Sequence, residues 1–336
     1  MKIVVVAGGL SPERDVSLSS GAQIANALAE TGYEVCLVDL YTGSILEKSG
    51  DRYAYNIPVH EPDLERLKRE SGNRNSLIGK NVIELCQSSD LAFLALHGDI
   101  GENGKLQAVF DSYGITYTGT GYIGSLLAMD KDLAKLLMVQ NNILTPAWEI
   151  IVGRGDPDAP PPDIDFPLVI KPCSCGSSVG VSIVQNEREY TDAVSHAAKY
   201  ETKIIVEKMI AGREFSVGIL DNFALPAIEI IPDGKFFDYE HKYQPGITKE
   251  ICPADLDKNT EKRMQGIALH VHKTLRLGSY SRIDFILASS GDIYCLEANT
   301  LPGMTPASLL PKEAAAAGIP YADLCDRIAK MAVNGR

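Results

Sequence analysis

The chain opens on a short β-branched run, Lys2 to Ala7, that stops at Gly8-Gly9. A polar loop follows, small and apolar residues then recur at helical spacing from Ser19 to Glu30, and Tyr33 to Leu40 returns to a strand pattern. Strand, helix and strand in such close succession predict a βαβ unit, hence a parallel sheet with its loops at the carboxyl edge. Leu91 to Leu96 reads as another buried strand and runs into the polar turn His97-Gly98-Asp99-Ile100-Gly101-Glu102-Asn103-Gly104. Residues 42–80 are mixed and polar, and no element is legible there.

A helix is expected from about Ser125 to Gln140, with Pro146 beyond its end. The Pro-rich stretch GDPDAPPPDIDFP then marks a surface connection, because consecutive prolines deny a ladder its donors. Phe166 to Ile170, Val181 to Val184 and Lys203 to Val206 read as strands, with a helix over Glu187 to Tyr200 before the last. Strands at Glu214 to Leu220, Arg282 to Leu287 and Ile293 to Glu297, with a helix over Lys258 to Leu275, give the final third an α+β character. The fold class is therefore mixed α/β and α+β, and 336 residues leave room for two or three domains.

Composition narrows the function classes. Hydrophobic residues are 45% and charged residues 23%, ordinary values for a globular protein, which excludes disordered, collagen-like and coiled-coil chains. The net charge of -12 opposes non-specific binding to nucleic acid or an anionic membrane, and a solubilising surface is its plain reading. The first apolar run is too short for a signal peptide, and no stretch has the length of a membrane span; a cytoplasmic protein is expected. The seven cysteines form no CxxC pair and have no histidine at zinc-finger spacing, which supports neither a disulfide scaffold nor a structural zinc.

Two motif matches fail on context. Gly119, Gly121 and Gly124 spell GxGxxG, but the preceding run is very short, and Gln140, Asn141 and Asn142 stand where an acidic ribose ligand belongs. Gly176 to Gly180 spells GxSxG around Ser178, and a serine hydrolase using the neighbouring Ser177 is the non-ligase alternative. A nucleophile elbow must lead from a strand into a helix, whereas Val181 to Val184 looks like a second strand, so the loop is a hairpin tip.

Two other constellations carry more chemistry. Lys171 ends a strand beside the small-residue loop Cys173 to Gly180, whose successive N–H groups can form a nest for phosphate; an ordinary flexible hairpin is the alternative. In the second, Ser290-Gly291 at a hairpin tip would set Asp284 opposite Glu297 and Arg282 opposite Asn299, leaving Ile283, Phe285, Tyr294 and Leu296 on the other face. Two opposed carboxylates repel unless a cation or proton intervenes, and with an amide oxygen they suit Mg²⁺ shared with nucleotide phosphates. A solvated sheet face is the alternative. The segment from Ile204 to Glu214 passes from strand through turn to strand, as a hinge between domains would.

Together with GGLSPERDVSLSSG, HGDIGENGKLQ, YTGTGYIGSLLAMDK, FPLVIKPCSCGSSVGVS, GREFSV, FFDYEHKY, SRIDF and LEANTLPGMTPASLLP, in that order, these residues resemble the D-alanine--D-alanine ligases of the ATP-grasp fold. The resemblance covers nearly the whole chain. It implies three domains, 1–119, 120–207 and 208–336, the first a doubly wound parallel-sheet domain, and ATP-dependent joining of two D-alanines through an acyl phosphate for peptidoglycan precursors. Relatives that make D-Ala-D-Ser or D-Ala-D-lactate are the alternatives within the family.

The resemblance also implies roles. Lys131 and Lys171 would hold ATP phosphates beneath the backbone of Gly176, Ser177 and Ser178; Glu207 and its hinge would read adenine and Glu214 the ribose. Asp284, Glu297 and Asn299 would ligate two Mg²⁺, with Mn²⁺ an admissible substitute. Glu13 would meet the ammonium of the first D-alanine near His97, Ser177 would orient Glu13 and Tyr243, and Arg282 with the Gly303 N–H would stabilise the oxyanion. Lys242, Ser308 and Leu309 would define the acceptor site, and a homodimer is implied. Taken singly, His97 could be a satisfied core histidine, Glu13 a surface charge and Ser308 a helix cap. Cys173-Ser174-Cys175 departs from the polar or charged residues expected there, and a thiol exposed near Lys171 would have a lowered pKa and be open to oxidation.

Overall fold

The computed structural model describes every residue except 59, 61, 153–162, 177–178, 233–247 and 336. Its first sheet is parallel: Lys2–Ala7 lies between Glu34–Asp39 and Leu91–Leu94. Ile3 to Ala7 are all essentially inaccessible, as a strand covered on both faces requires, which explains why the run is apolar without alternation. The neighbouring helix spans Arg14–Glu30 and starts before the expected Ser19. Its first turns hide their amphipathicity because the inward positions are serines: Ser17 Oγ donates to the Ala95 carbonyl at 2.7 Å and accepts from the Gly8 N–H at 2.8 Å. The helix can lie this close only at Gly21, where an added Cβ would stand 2.6 Å from that of Ala7.

The second sheet runs Trp148–Val152, Lys203–Lys208, Leu168–Pro172, Ser182–Val184 in spatial order, all antiparallel. Helix Glu187–Ala197 seals one face with Tyr190, Ala193, Val194 and Ala197. The pairing of Leu168–Pro172 with Ser182–Val184 makes the glycine-rich loop a hairpin tip, as expected. The third sheet is also antiparallel and centres on Gly212–Leu220 and Tyr280–Ala288, which pair along nine residues. Helix Lys258–Thr274 packs Met264, Ala268 and Val271 against Phe215, Val217, Ile283 and Phe285.

Several elements escaped the sequence pattern. The expected helix 125–140 is two helices, Tyr122–Met129 and Lys131–Gln140, divided at Asp130. Asp130 takes an extended backbone, and its carboxylate accepts from the N–H groups of Asp132 and Leu133, so it caps the second helix. Helix Leu64–Glu70 buries none of its residues and is laced by the ion pairs Arg66–Glu70 and Lys68–Glu65, so no apolar period marks it. Strands Trp148–Val152, Ile228–Pro232 and Thr248–Ile251, and helices Val82–Gln87, Leu309–Ala316 and Tyr321–Asn334, were also unread.

The cores cut across chain order. Helix Tyr321–Asn334 returns to the first sheet, placing Leu324, Cys325, Ile328 and Ala329 in its core. Ala128, Ala134 and Met138 join the core of the third sheet. The GxGxxG glycines serve this packing. A side chain at Gly124 would strike the Arg276 carbonyl, and one at Gly278 would strike that of Gly119, so these glycines let the segment after Thr118 lie against the turn at Arg276–Gly278.

The Gly21 contact yields a stability prediction. Gly21→Val forces the helix off the first strand, and the overpacking should lower the unfolding free energy by about 1–3 kcal/mol. Urea unfolding checks it, and a midpoint equal to the parent's would refute the close-packing account.

Candidate active site

The hairpin of Tyr280–Ala288 and Ile293–Asn299 places Arg282 opposite Asn299 and Asp284 opposite Glu297, the register the alternation predicted. It gets there by a different route. The tip is a three-residue loop in which the Gly291 N–H bonds to Ala288 O and the Ala288 N–H to Asp292 O, both at 2.9 Å, with Gly291 at φ 86°. Phe285 consequently faces Cys295, and Leu296 is an extra residue bulged out between the two pairs. Ile293 and Cys295 therefore share the buried face with Phe285, and Tyr294 and Leu296, expected there, are half-buried instead. The bulge restores the polar register that the longer loop would have lost.

Asp284 is the most heavily bonded group of this face. Its carboxylate accepts from Arg282 Nε at 2.9 Å and Nη2 at 2.8 Å, from Ser216 Oγ at 2.8 Å and from Asn299 Nδ2 at 2.9 Å. Burial alone would push protons off Arg282, but Asp284 and Glu297 beside it hold the guanidinium charged, well above its ordinary value. Lys131 Nζ stands 3.4 Å from Glu297 Oε2 and donates to the Cys175 carbonyl at 2.8 Å. One ammonium thus spans from the phosphate hairpin to the carboxylate pair.

The hairpin is anchored at both shoulders. Lys131 N–H bonds to the Cys173 carbonyl at 3.2 Å, and the Ser174 N–H donates to Glu201 Oε2 at 2.6 Å. Gly176 reaches the cavity; Ser177 and Ser178 lie outside the described residues. The thiols depart from expectation. Burial pushes Cys173 up to about 12, with Asp130 3.2 Å from its Sγ, and burial also raises Cys175, so neither is the lowered, oxidation-prone thiol the sequence suggested. Lys171 Nζ meets Glu207 Oε1 at 2.5 Å, and Lys135 Nζ, to which sequence reasoning assigned nothing, lies 3.0 Å from Glu207 Oε2. The Glu207 carboxylate is thereby committed to two lysines and is only 3% exposed.

Across the cavity, the Arg14–Glu30 helix and the loop after Leu94 bring Glu13 and His97 together. Gly98, at φ 68°, has room for no side chain, since a Cβ there would stand 2.9 Å from Glu13 Oε2 and from Ser11 Oγ. His97 Nε2 lies 3.2 Å from Ser20 Oγ, and burial lowers its pKa against the opposing pull of Glu13. Glu102 Oε2 accepts from the Gly98 N–H at 2.6 Å; burial, then Glu13, raises its pKa to about 8, so it is largely protonated at neutral pH. Glu102 belongs to the HGDIGEN turn, a motif in which sequence reasoning singled out only His97.

These groups line one cavity of about 440 Å³, which brings together Glu13, His97, Gly176, Glu214, Arg282, Asp284, Glu297, Asn299, Gly303, Ser308 and Leu309. Ser308 Oγ accepts from the Thr305 N–H at 3.2 Å and lies 2.9 Å from Thr305 Oγ1, so its side chain braces the preceding turn and makes no cap bond to the helix it precedes. Lys131, Lys171 and Glu207 are not among the residues that line it, and Lys242 and Tyr243 lie outside the described residues. Glu102, Ile57, Gln23 and Glu250 also line the cavity; Ile57 comes from the stretch whose pattern was unreadable.

Comparison with known proteins agrees along the whole chain. Residues 2–120 match the D-ala D-ala ligase N-terminus family model and residues 161–330 the D-ala D-ala ligase C-terminus model. A D-alanine--D-alanine ligase of Pediococcus pentosaceus is 43% identical over 98% of this chain and 96% of the relative, and one of Geotalea uraniireducens is 40% identical over 97% and 94%. The structure of the Bacillus anthracis D-alanine--D-alanine ligase complexed with ATP superposes with a TM-score of 0.78 at 32% identity, covering 100% of this chain and 97% of that one. The VanG D-Ala:D-Ser ligase of Enterococcus faecalis gives 0.79 at 27% identity, covering 98% and 99%. Matching models over both parts of the chain and full-length relatives above 30% identity show that the chain belongs to the D-alanine--D-alanine ligase family, with the ATP-grasp fold of its structural relatives.

Proposed function

We propose that the chain joins two D-alanines, forming D-alanyl-D-alanine, ADP and phosphate from ATP. The observation that carries this reading is that Arg282, Asp284, Glu297 and Asn299 face Glu13 and His97 across a single cavity at whose rim the glycine-rich hairpin stands. A carboxylate oxygen of the first D-alanine attacks the γ-phosphorus and ADP leaves, giving an acyl phosphate. The amine of the second D-alanine then attacks the acyl carbon, loses a proton, and phosphate departs as the amide forms.

Both steps gather negative charge, and the residues are placed to hold it. Glu13 suits the first substrate's ammonium, while Arg282, kept charged by Asp284, and the Gly303 N–H suit the oxyanion on the attacked carboxyl. Lys131 and Lys171 bring positive charge to the phosphate side. Asp284, Glu297 and Asn299 put hard oxygens on one wall and fit Mg²⁺; Asn299, donating through its nitrogen to Asp284, keeps its oxygen for a ligand role. When bound, the metal would neutralise phosphate charge. Among the described residues, no group of three or more His, Cys, Asp or Glu side chains forms a metal site by itself.

The domain division 1–119, 120–207 and 208–336, the homodimer and the cytoplasmic setting for peptidoglycan precursor synthesis remain part of this proposal. No helix among the described residues is long and apolar enough to cross a membrane. D-Alanine is the proposed acceptor, with Lys242 attracting its carboxylate and Tyr243 contacting both substrates; in the structural comparison the D-alanine--D-alanine ligase of Bacillus anthracis is 32% identical and VanG 27%.

Phosphate release should require ATP, Mg²⁺ and D-alanine together and fail with L-alanine; equal turnover with EDTA or without amino acid would overturn the ligase reading. Arg282→Ala should lower kcat on the order of a hundredfold or more while ATP affinity changes little. A kcat equal to the parent's, with circular dichroism intact, would remove Arg282 from the oxyanion role. Offered D-alanine and D-lactate at equal concentration and pH 7, the enzyme should make the dipeptide, as read by mass spectrometry; mainly depsipeptide would transfer it to the lactate-using relatives.

A further inference from the structure

Lys135 is 1% exposed and lies one helical turn beyond Lys131, on the same face of Lys131–Gln140. Its Nζ donates to Thr145 Oγ1 at 2.8 Å and to the Pro146 carbonyl at 3.0 Å, and it stands 5.2 Å from the centroid of the Trp148 ring. Its ionic partner is Glu207, at 3.0 Å, whose other oxygen meets Lys171. Lys171 alone would neutralise that carboxylate. Two ammoniums against one carboxylate leave one positive charge over, in a region where charge is poorly screened. An apolar residue at 135 packed on Trp148 would avoid that cost, so a lysine here implies a further anion. Lys171, the next-to-last residue of the strand Leu168–Pro172, places this pair at the base of the glycine-rich hairpin, into which that strand runs directly.

We propose that Lys135 is a positioning residue for the nucleotide: by sharing Glu207 it keeps Lys171 from being neutralised and leaves the base of the phosphate hairpin one positive charge that triphosphate oxygens satisfy. The inference rests on the ligase reading and deepens it. Around Lys135 stand Glu207 and Lys171 from adjacent strands, the Cys295 thiol from the third sheet and the Trp148 ring. Burial lowers the pKa of Lys135, Glu207 opposes the shift and Lys171 adds to it; burial keeps Cys295 a neutral thiol. Lys135 therefore loses its proton at a lower pH than an ordinary lysine. The charge that favours ATP is present below that pKa and lost as pH rises through it.

The test is ATP binding by calorimetry on the full chain, with steady-state kinetics alongside. Lys135→Met should weaken ATP affinity on the order of tenfold and raise KM for ATP, with kcat moved far less. Lys135→Arg, which keeps its charge at all accessible pH, should stay near parent affinity and move the alkaline loss of binding to higher pH. A Lys135→Met protein that melts earlier yet binds ATP as the parent does would overturn the inference and leave Lys135 a structural anchor. Should Lys135→Met fail to fold, Lys135→Arg decides: an alkaline limb shifted upward supports the inference, and one identical to the parent's overturns it. A parent that binds no ATP would overturn the ligase reading and this inference with it, whereas equal affinity in parent and Lys135→Met overturns the inference alone.

Discussion

A carboxylate removed from water must find donors or give up its charge, and the Asp284 carboxylate has found four: two from Arg282 and one each from Ser216 and Asn299. Three strands supply them, so the central part of the third sheet is organised around this one group. Ser216 comes from Gly212–Leu220, Arg282 from Asp284's own strand and Asn299 from the partner across the hairpin. The hairpin has to bring Asn299 and Glu297 round to this face despite a three-residue tip, and the bulge at Leu296 does so. A one-residue slip would turn Glu297 and Asn299 toward the apolar core, leaving Asp284 short of a donor and burying a second carboxylate.

The same electrostatic demand links the three sheets. Asp130 caps the helix of Lys131 and accepts from Lys203 of the second sheet at 3.0 Å, so the helix start is fixed to the sheet that carries the phosphate hairpin. From that start Lys131 reaches Glu297 of the third sheet, and one turn later Lys135 reaches Glu207 of the second. The helix itself is cored with the third sheet through Ala134 and Met138. Its cations therefore cross a boundary that its apolar side chains respect, so ion pairs rather than packing tie it to the second sheet.

What could be read from the sequence follows from which periodicities are local. The strands of the third sheet that alternate cleanly, and the Asp284–Glu297 pairing, were legible because each depends on near neighbours in the chain. The bulge was not, because it is set by a tip of three residues where two satisfied the pattern equally well. The helix start before Ser19 was not legible because its inward residues are polar: Ser17 and Ser20 are buried, with partners at the Ala95 carbonyl and His97 supplied by the loop after Leu94. Helix Leu64–Glu70 was silent because it buries nothing. Lys135 and Glu102 escaped for a common reason: lysine and glutamate are ordinarily surface residues, and only tertiary packing shows that these two are enclosed.

The glycines show how far a motif depends on its setting. GxGxxG at Gly119 to Gly124 and GxSxG at Gly176 to Gly180 are spelled out equally clearly, yet neither does the chemistry its spelling suggests. The first gives two segments room to touch, through Gly124 with Arg276 and Gly119 with Gly278. The second lies between antiparallel strands, where no helix follows to expose a serine nucleophile at an elbow. What distinguishes the two is the charge around them. Around the second, Lys131 pairs with Glu297, Lys135 and Lys171 share Glu207, Lys203 bridges Asp130 and Asp132, and Glu201 accepts from the Ser174 N–H. Among the described residues the first motif has no such ion pairs about it: its glycines make room for backbone, whereas the second is held between charged groups of two sheets and the helix Lys131–Gln140.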